Sequence, residues 1–386
     1  TIDGVEMEFV YVLDTEAPVE IMIWLPQLKA FCTAEDMTHN MHNLQTLRGA
    51  KVRNGLLWSK AVDTAIERYG DRVEVSFSTH HWPTWGNERI VDYWEAQRDM
   101  YRYLHDQTLH LANRGLTPDE IAEEMKLPAS LASQFNCRGY YGTLSHNVKA
   151  QYDLYFGWFD GNPAHLNPLP PSELGAKYVE AIGGADKVLE VAKASYAKGE
   201  YRWVATLLDN LVFAEPENKE ARQLLSDTYS QLGYQAESGP WRNFYLTGAQ
   251  DLFKKNVPYT SKLINDGVLS QMDMGTLLDY CAIQLNGEKA GGKEAVININ
   301  FTDTKEKVML MLKNGVLNHR LGSQDKKADL TMEIAKMDFV KLFFGRTDLQ
   351  TLRKTNKVKT TGDTKAIDMI RSACEPADPN FNIVLP

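Results

Sequence analysis

Apolar and polar positions divide the chain into stretches of different period. Phe9-Val10-Tyr11-Val12, Ile21-Met22-Ile23-Trp24-Leu25, Leu28-Lys29-Ala30-Phe31 and Val73-Glu74-Val75-Ser76-Phe77-Ser78 are short β-rich runs. The second is continuously apolar, which suits a buried strand. Gly55-Leu56-Leu57-Trp58 leads into a helical stretch over Ala61-Val62-Asp63-Thr64-Ala65-Ile66, so residues 1 to about 85 read as part of an α/β layer. From residue 87 the period changes. Ile90, Trp94, Tyr101, Leu104 and Leu111 recur at helical spacing and predict one long amphipathic helix over 88–113. Gly115 stops it. Thr117-Pro118-Asp119-Glu120 restarts a helix, with Thr117 as N-cap, Pro118 at the first position and Glu120 as reciprocal capping partner. Pro128 marks the next break.

Residues 137–171 are rich in Gly, aromatics and Pro, and hold Ser145-His146-Asn147 and Gly157-Trp158-Phe159-Asp160-Gly161. Residues 174–236 follow the tetratricopeptide pattern of small and aromatic residues at fixed helical positions, as in Ala194-Ser195-Tyr196 and Ala205-Thr206-Leu207-Leu208. Such a unit cannot bury its apolar face alone, so it is expected to pack on a neighbour or a second subunit. In the tail, Val296-Ile297-Asn298-Ile299-Asn300-Phe301 alternates strictly and reads as a half-buried strand. Val308–Leu312 and Val316–Arg320 flank Asn314-Gly315, a strong hairpin signal. Leu330–Ile334 adds a strand, and Met337–Phe344 a helix stopped by Gly345. These features describe an α+β module whose Met and Phe side chains serve either a greasy cavity or an ordinary core.

At 386 residues the chain has room for two or three domains, and its 43% apolar content supports real cores. The net charge of −9 argues against a nucleic-acid partner. No apolar run reaches the roughly 18 residues of a membrane span. Cys32, Cys137, Cys281 and Cys374 form no Cys-x-x-Cys pair and read as free thiols. No signal peptide is visible. Thr1 is not a natural start, so an upstream segment is expected to have been removed, and the compartment stays open.

The candidate chemistry lies between Glu16 and His80. Glu16 follows the first β-rich run, Glu35 the third, and His80 the fourth. Runs that end on carboxylate or imidazole can place those groups at one rim of a sheet, and both ligand types suit zinc. Between them, His39-Asn40-Met41-His42-Asn43 and Thr46-Leu47-Arg48-Gly49 offer imidazoles, amides and a guanidinium that suits a sulfate or phosphate. By residue type alone the signal is weak. Two surface glutamates and a strand-end histidine explain the same residues, and a helix-cap or packing role explains His146.

Several strings together are more specific. Thr33-Ala34-Glu35, His39-Asn40-Met41-His42-Asn43, Thr46-Leu47-Arg48-Gly49-Ala50, His80-His81-Trp82-Pro83-Thr84-Trp85-Gly86, Ser145-His146-Asn147-Val148-Lys149-Ala150 and Gly157-Trp158-Phe159-Asp160-Gly161-Asn162-Pro163 resemble the alkyl sulfatases of the metallo-β-lactamase superfamily over essentially the whole chain. The resemblance implies an α/β, all-α and α+β architecture. Residues 1–110 would be the C-terminal part of a metallo-β-lactamase-like αββα sandwich. Residues 111–250 would be a helical dimerisation domain, giving a homodimer, and 251–386 a sterol-carrier-protein-like domain.

The same resemblance implies two zinc ions per complete active site. Glu16 and Glu35 would be ligands, Glu35 the bridging one, with His80 the last histidine, preferred to His81 because it follows the strand directly. Asn43 and Arg48 would hold the sulfate group, with His39 beside them, and His42 and His146 are the candidates for proton transfer. The family's His-x-His-x-Asp-His motif is absent, so the chain is expected to be the C-terminal portion of a longer enzyme whose N-terminal half supplies the other ligands. The implied reaction is hydrolysis of alkyl sulfates to alcohol and inorganic sulfate. Two alternatives stay open: another hydrolase of the superfamily acting on phosphate esters or thioesters, and a non-catalytic helical-repeat and lipid-binding scaffold.

Overall fold

The computed structural model describes residues 1–253, 265–378 and 381–386. They fall into two compact units that divide between residues 255 and 256, with Asn382–Pro386 belonging to the first.

The first unit begins with β1 (Glu8–Tyr11), β2 (Ile21–Leu25) and β3 (Ala30–Cys32), then α1 (Gly55–Tyr69), β4 (Val75–Phe77) and β5 (Thr84–Trp85). The strands form one sheet in sequence order. Only β3 and β4 are parallel, because α1 carries the chain back between them. The third β-rich run starts later than its apolar pattern suggests. Pro26–Leu28 is a 3-10 turn, Lys29 is left-handed at φ 45°, and pairing begins at Ala30. Pro26 lacks an N–H and has a fixed φ, which favours that turn over an extended start.

The sheet is two-faced. Val10, Met22, Trp24 and Phe31 are buried with Trp58, Tyr69, Trp94 and Tyr101 of the helical layer. On the other face the register aligns Phe9 with Ile23 and Tyr11 with Ile21, and Phe9, Tyr11 and Ile21 are exposed. A contiguous apolar sheet face of this kind marks a packing surface.

The helical layer continues with α2 (Asn87–Ala112), α3 (Pro118–Glu124), α4 (Ala129–Ala132) and α5 (Leu144–Phe156). The long helix and the Thr117–Glu120 capping box appear as the sequence predicts. Helix α5 had no legible apolar stripe, because its buried face carries His146, Asn147 and Gln151 beside Val148 and Tyr152. Those amides serve the loop that crosses the sheet edge. Asn147 accepts from Leu44 N–H at 2.8 Å and donates to the His42 carbonyl at 2.9 Å. Gln151 accepts from Gly55 N–H and donates to the Arg53 carbonyl, each at 2.9 Å.

A second core in this unit joins α6 (Pro171–Ile182), α7 (Ala185–Ala197), α8 (Tyr201–Ala214), α9 (Lys219–Gln235) and α10 (Gly239–Asp251). Val188, Val204, Leu208, Leu211 and Leu225 lie at its centre. Gly175 lets α6 approach α8, since a Cβ there would sit 2.5 Å from the Asn210 carbonyl oxygen.

The second unit is α+β. It contains α11 (Asp266–Gln271), α12 (Met274–Ala282), α13 (Gly287–Ala290), β6 (Ala295–Phe301), β7 (Lys307–Lys313), β8 (Val316–Leu321), β9 (Leu330–Ile334), α14 (Lys336–Phe343), α15 (Leu349–Lys354), β10 (Val358–Gly362) and α16 (Lys365–Ser372). The sheet order is β10-β9-β6-β7-β8. Asn314 and Gly315, at φ 53° and 73°, make the two-residue turn between β7 and β8. Ile297, Phe301, Leu310, Met332, Phe339 and Ile370 fill the core. All four cysteines are free thiols. Among the described residues, no helix is long and apolar enough to cross a membrane.

All eight tryptophans belong to the first unit, so their fluorescence follows its unfolding alone. Asn147→Ala leaves one buried N–H and one buried carbonyl without partners, and should lower that unit's stability by about 2 kcal/mol in urea titration. An unchanged midpoint would mean that water replaces the amide.

Candidate metal and anion site

Three turns at the edge of the first sheet bring the candidate residues together. Glu16 lies in the turn between β1 and β2, Glu35 follows β3, and His80 follows β4. One ligand atom each from Glu16, Glu35 and His42 lies within 4.8 Å of the other two. His42 Nε2 donates to Glu35 Oε2 at 3.0 Å, and His80 Nε2 lies 3.1 Å from Glu35 Oε1. Glu35 is therefore the hub, with one imidazole on each oxygen. The His42 hydrogen bond, working against burial and helped by the charges of His42 and His80, holds the Glu35 carboxyl down at about 2.

Arg53, to which the sequence reading gave no role, fastens this cluster. Its guanidinium is buried and pairs with Glu16 Oε1. Its Nε donates to the Glu16 carbonyl at 2.6 Å, and one terminal nitrogen donates to both the Asn43 carbonyl and Asn43 Oδ1 at 2.7 Å. His42 Nδ1 is 3.1 Å from the same nitrogen. Asn54 caps α1, but nothing in Arg53-Asn54-Gly55 marks the preceding guanidinium as buried. Thr46 also donates to Asn43 Oδ1, at 3.2 Å. With that oxygen occupied, Nδ2 is the donor Asn43 can offer to a ligand.

Arg48 stands on the same turn as Thr46, exposed and with no side-chain partner among the described residues. His39 is stacked between Trp82 and Tyr93, and its Nε2 meets Thr84 Oγ1 at 2.7 Å. Burial, then the neighbouring His81 and Arg89 charges, lowers its pKa. His81 contacts the Asn40 amide rather than Glu35. A cleft of about 320 Å3 opens beside the cluster, lined by Asn40, His42, His80, His81, Tyr140 and Tyr141.

His146 is not brought into the cluster. Its Nε2 donates to the Gln45 carbonyl at 2.7 Å, and its Nδ1 accepts from Trp241 Nε1 at 2.9 Å. Burial lowers its pKa, so both nitrogens of a neutral ring are committed to packing contacts. Asp36 is fully buried, with the Thr15 hydroxyl and the Glu16 N–H beside its carboxyl group. Burial pushes its pKa well up.

Arg53→Met strands the Glu16 carboxylate and should destabilise the first unit by about 3 kcal/mol, read from tryptophan fluorescence in urea. A loss below about 1 kcal/mol would mean that the pair behaves as a solvated surface bridge.

Comparison with known proteins agrees along the whole chain. Residues 117–255 match the alkyl sulfatase dimerisation family, and residues 262–386 match the alkyl sulfatase C-terminal family. All of the chain aligns with a linear primary-alkylsulfatase of Pseudomonas sp. at 46% identity, covering 57% of that protein. It aligns with an (R)-specific secondary-alkylsulfatase of Pseudomonas sp. at 44%, covering 58%, and with an alkyl/aryl-sulfatase of Saccharomyces cerevisiae at 42%, covering 59%. The solved structure of a stereoselective inverting sec-alkylsulfatase from Pseudomonas sp. superposes with a TM-score of 0.97 at 43% identity, over all of this chain and 61% of that one. The chain thus spans less than two thirds of the length of these relatives. The chain belongs to the alkyl sulfatase family.

Proposed function

We propose that the chain is part of a zinc-dependent alkyl sulfatase, a sulfuric ester hydrolase that converts alkyl sulfates to alcohol and inorganic sulfate. The observation that carries this reading is the convergence of Glu16, His42 and His80 on Glu35, with His42 and His80 also lining the adjacent cleft and Arg48 unpaired among the described residues on the next turn. Carboxylate and imidazole donors fit zinc. Glu16, Glu35 and His80 would hold it, with Glu35 between two ions and His42 within reach. This set is too small for two closed shells, so further ligands come from the part of the relatives' length that this chain does not span. The bare Phe9–Tyr11–Ile21 face supports that view, because it is the surface a second sheet would cover in a metallo-β-lactamase-like αββα sandwich.

When bound, zinc supplies Lewis acidity and lowers the pKa of water. The chain's own side chains position the ester. Arg48 would take two sulfate oxygens through its fork, and Asn43 would donate from Nδ2. His39 contributes a neutral ring whose Nε2 is already engaged by Thr84. Arg53 keeps Glu16 and Asn43 at fixed separation throughout, which is the preorganisation that charge development demands.

In the full-length protein, decyl sulfate should release inorganic sulfate, measured by ion chromatography. Chelation should abolish release and zinc should restore it. Arg48→Ala should lower kcat/KM about tenfold or more, as expected for loss of a charge-assisted pair. Wild-type kinetics would remove Arg48 from the site. Turnover of phosphate esters or thioesters without sulfate release would replace the sulfatase reading with another hydrolase.

The helical segment supports a homodimer. Leu169, Tyr178 and Trp203 are exposed along an apolar groove of about 560 Å3 between α6 and α8. A second copy covering this groove would supply the apolar neighbour that helical repeats need. Tyr178→Glu combined with Trp203→Glu should give a monomer by light scattering, and a persistent dimer would place the interface elsewhere.

A further inference from the structure

A second series of polar side chains lies on the helical layer and takes no part in the cluster described above. Arg102, His105 and Asp106 lie on α2, and Tyr155 lies in the last turn of α5. Arg102 Nε donates to Asp106 Oδ2 at 2.7 Å, Asp106 Oδ1 is 2.7 Å from His105 Nδ1, and His105 Nε2 is 2.9 Å from the Tyr155 hydroxyl. An ionised carboxylate only accepts, so His105 Nδ1 carries the proton. In the neutral ring Nε2 is then an acceptor, and Tyr155 must donate to it. This is the acid–imidazole–hydroxyl order that activates serine nucleophiles, with a phenol in the last place. The base is sheltered and the phenol is open: His105 is 7% exposed and Tyr155 43%.

We propose that Tyr155 is a base-activated nucleophile and a covalent modification site for activated acyl esters. The Tyr155 oxygen attacks the ester carbonyl as its proton passes to His105 Nε2. The bond from the acyl carbon to the leaving phenolate breaks, and the phenolate recovers the proton from His105. The products are an O-acyl tyrosine and a free phenol, with no change of oxidation state. Asp106 is a positioning residue that fixes the His105 tautomer, and Arg102 fixes Asp106.

The chain carries its own control. Tyr234, 63% exposed, is more accessible than Tyr155, and among the described residues no histidine is hydrogen-bonded to its hydroxyl. The full chain is treated with p-nitrophenyl acetate, and acetylation of each tyrosine is followed by peptide mass spectrometry. Tyr155 should be acetylated at least tenfold faster than Tyr234. His105→Phe and Asp106→Asn should each bring it down to the level of that control within the same molecule. Should His105→Phe fail to fold, Asp106→Asn, which alters a partly exposed side chain, carries the test alone. Acetylation of Tyr155 no faster than that of Tyr234, or a preference that survives Asp106→Asn, would overturn the proposal.

Discussion

The candidate site depends on one buried cation. Arg53 is out of water, and a guanidinium in that position must have its donors satisfied. It meets that demand with the Glu16 carboxylate and carbonyl and with both oxygens of Asn43. These partners come from two loops with little regular structure, so the ion pair serves in place of a strand ladder. Other buried polar groups complete the scaffold. Trp58 Nε1 donates to the Asp36 carbonyl at 2.6 Å, and the Tyr101 hydroxyl accepts from His42 N–H at 3.1 Å. The loop that carries Glu35, His42 and Asn43 is thus held from below by aromatic tips and from the side by α5 amides.

This arrangement has a consequence for chemistry. A loop fastened by its backbone leaves its side chains free to present charge to the cleft. Glu35 faces two imidazoles, and Asn43 offers only its amide hydrogens. Arg48, five residues beyond Asn43, is exposed and has no side-chain partner among the described residues. The carboxylates and imidazoles gather around Glu35 and the exposed guanidinium of Arg48 stands on the next turn, an arrangement whose charges suit an anionic ligand. In sequence and in fold the chain is similar to alkylsulfatases.

Much of the fold was legible because local and tertiary preferences agree there. Helix α2 keeps its apolar stripe for its whole length, Thr117 and Glu120 form the box their spacing requires, and Asn314-Gly315 turns the hairpin. The failures share a cause. Helix α5 buries polar side chains that serve a distant loop, so no periodicity marks it. The β3 boundary moved because Pro26 favours a turn where the hydropathy pattern allows a strand. Arg53 looks like an ordinary surface charge in sequence, and only tertiary packing makes it the buried centre of the site. His146 offers the converse lesson: an imidazole in a distinctive string is committed here to Gln45 and Trp241.

The most direct measurement is anomalous diffraction at the zinc edge on crystals of the full-length protein. Two zinc peaks are expected beside the Glu35 carboxylate, one within reach of Glu16 and one within reach of His80. Zinc bound away from Glu35, or no zinc in a protein that still releases sulfate from alkyl sulfates, would contradict it.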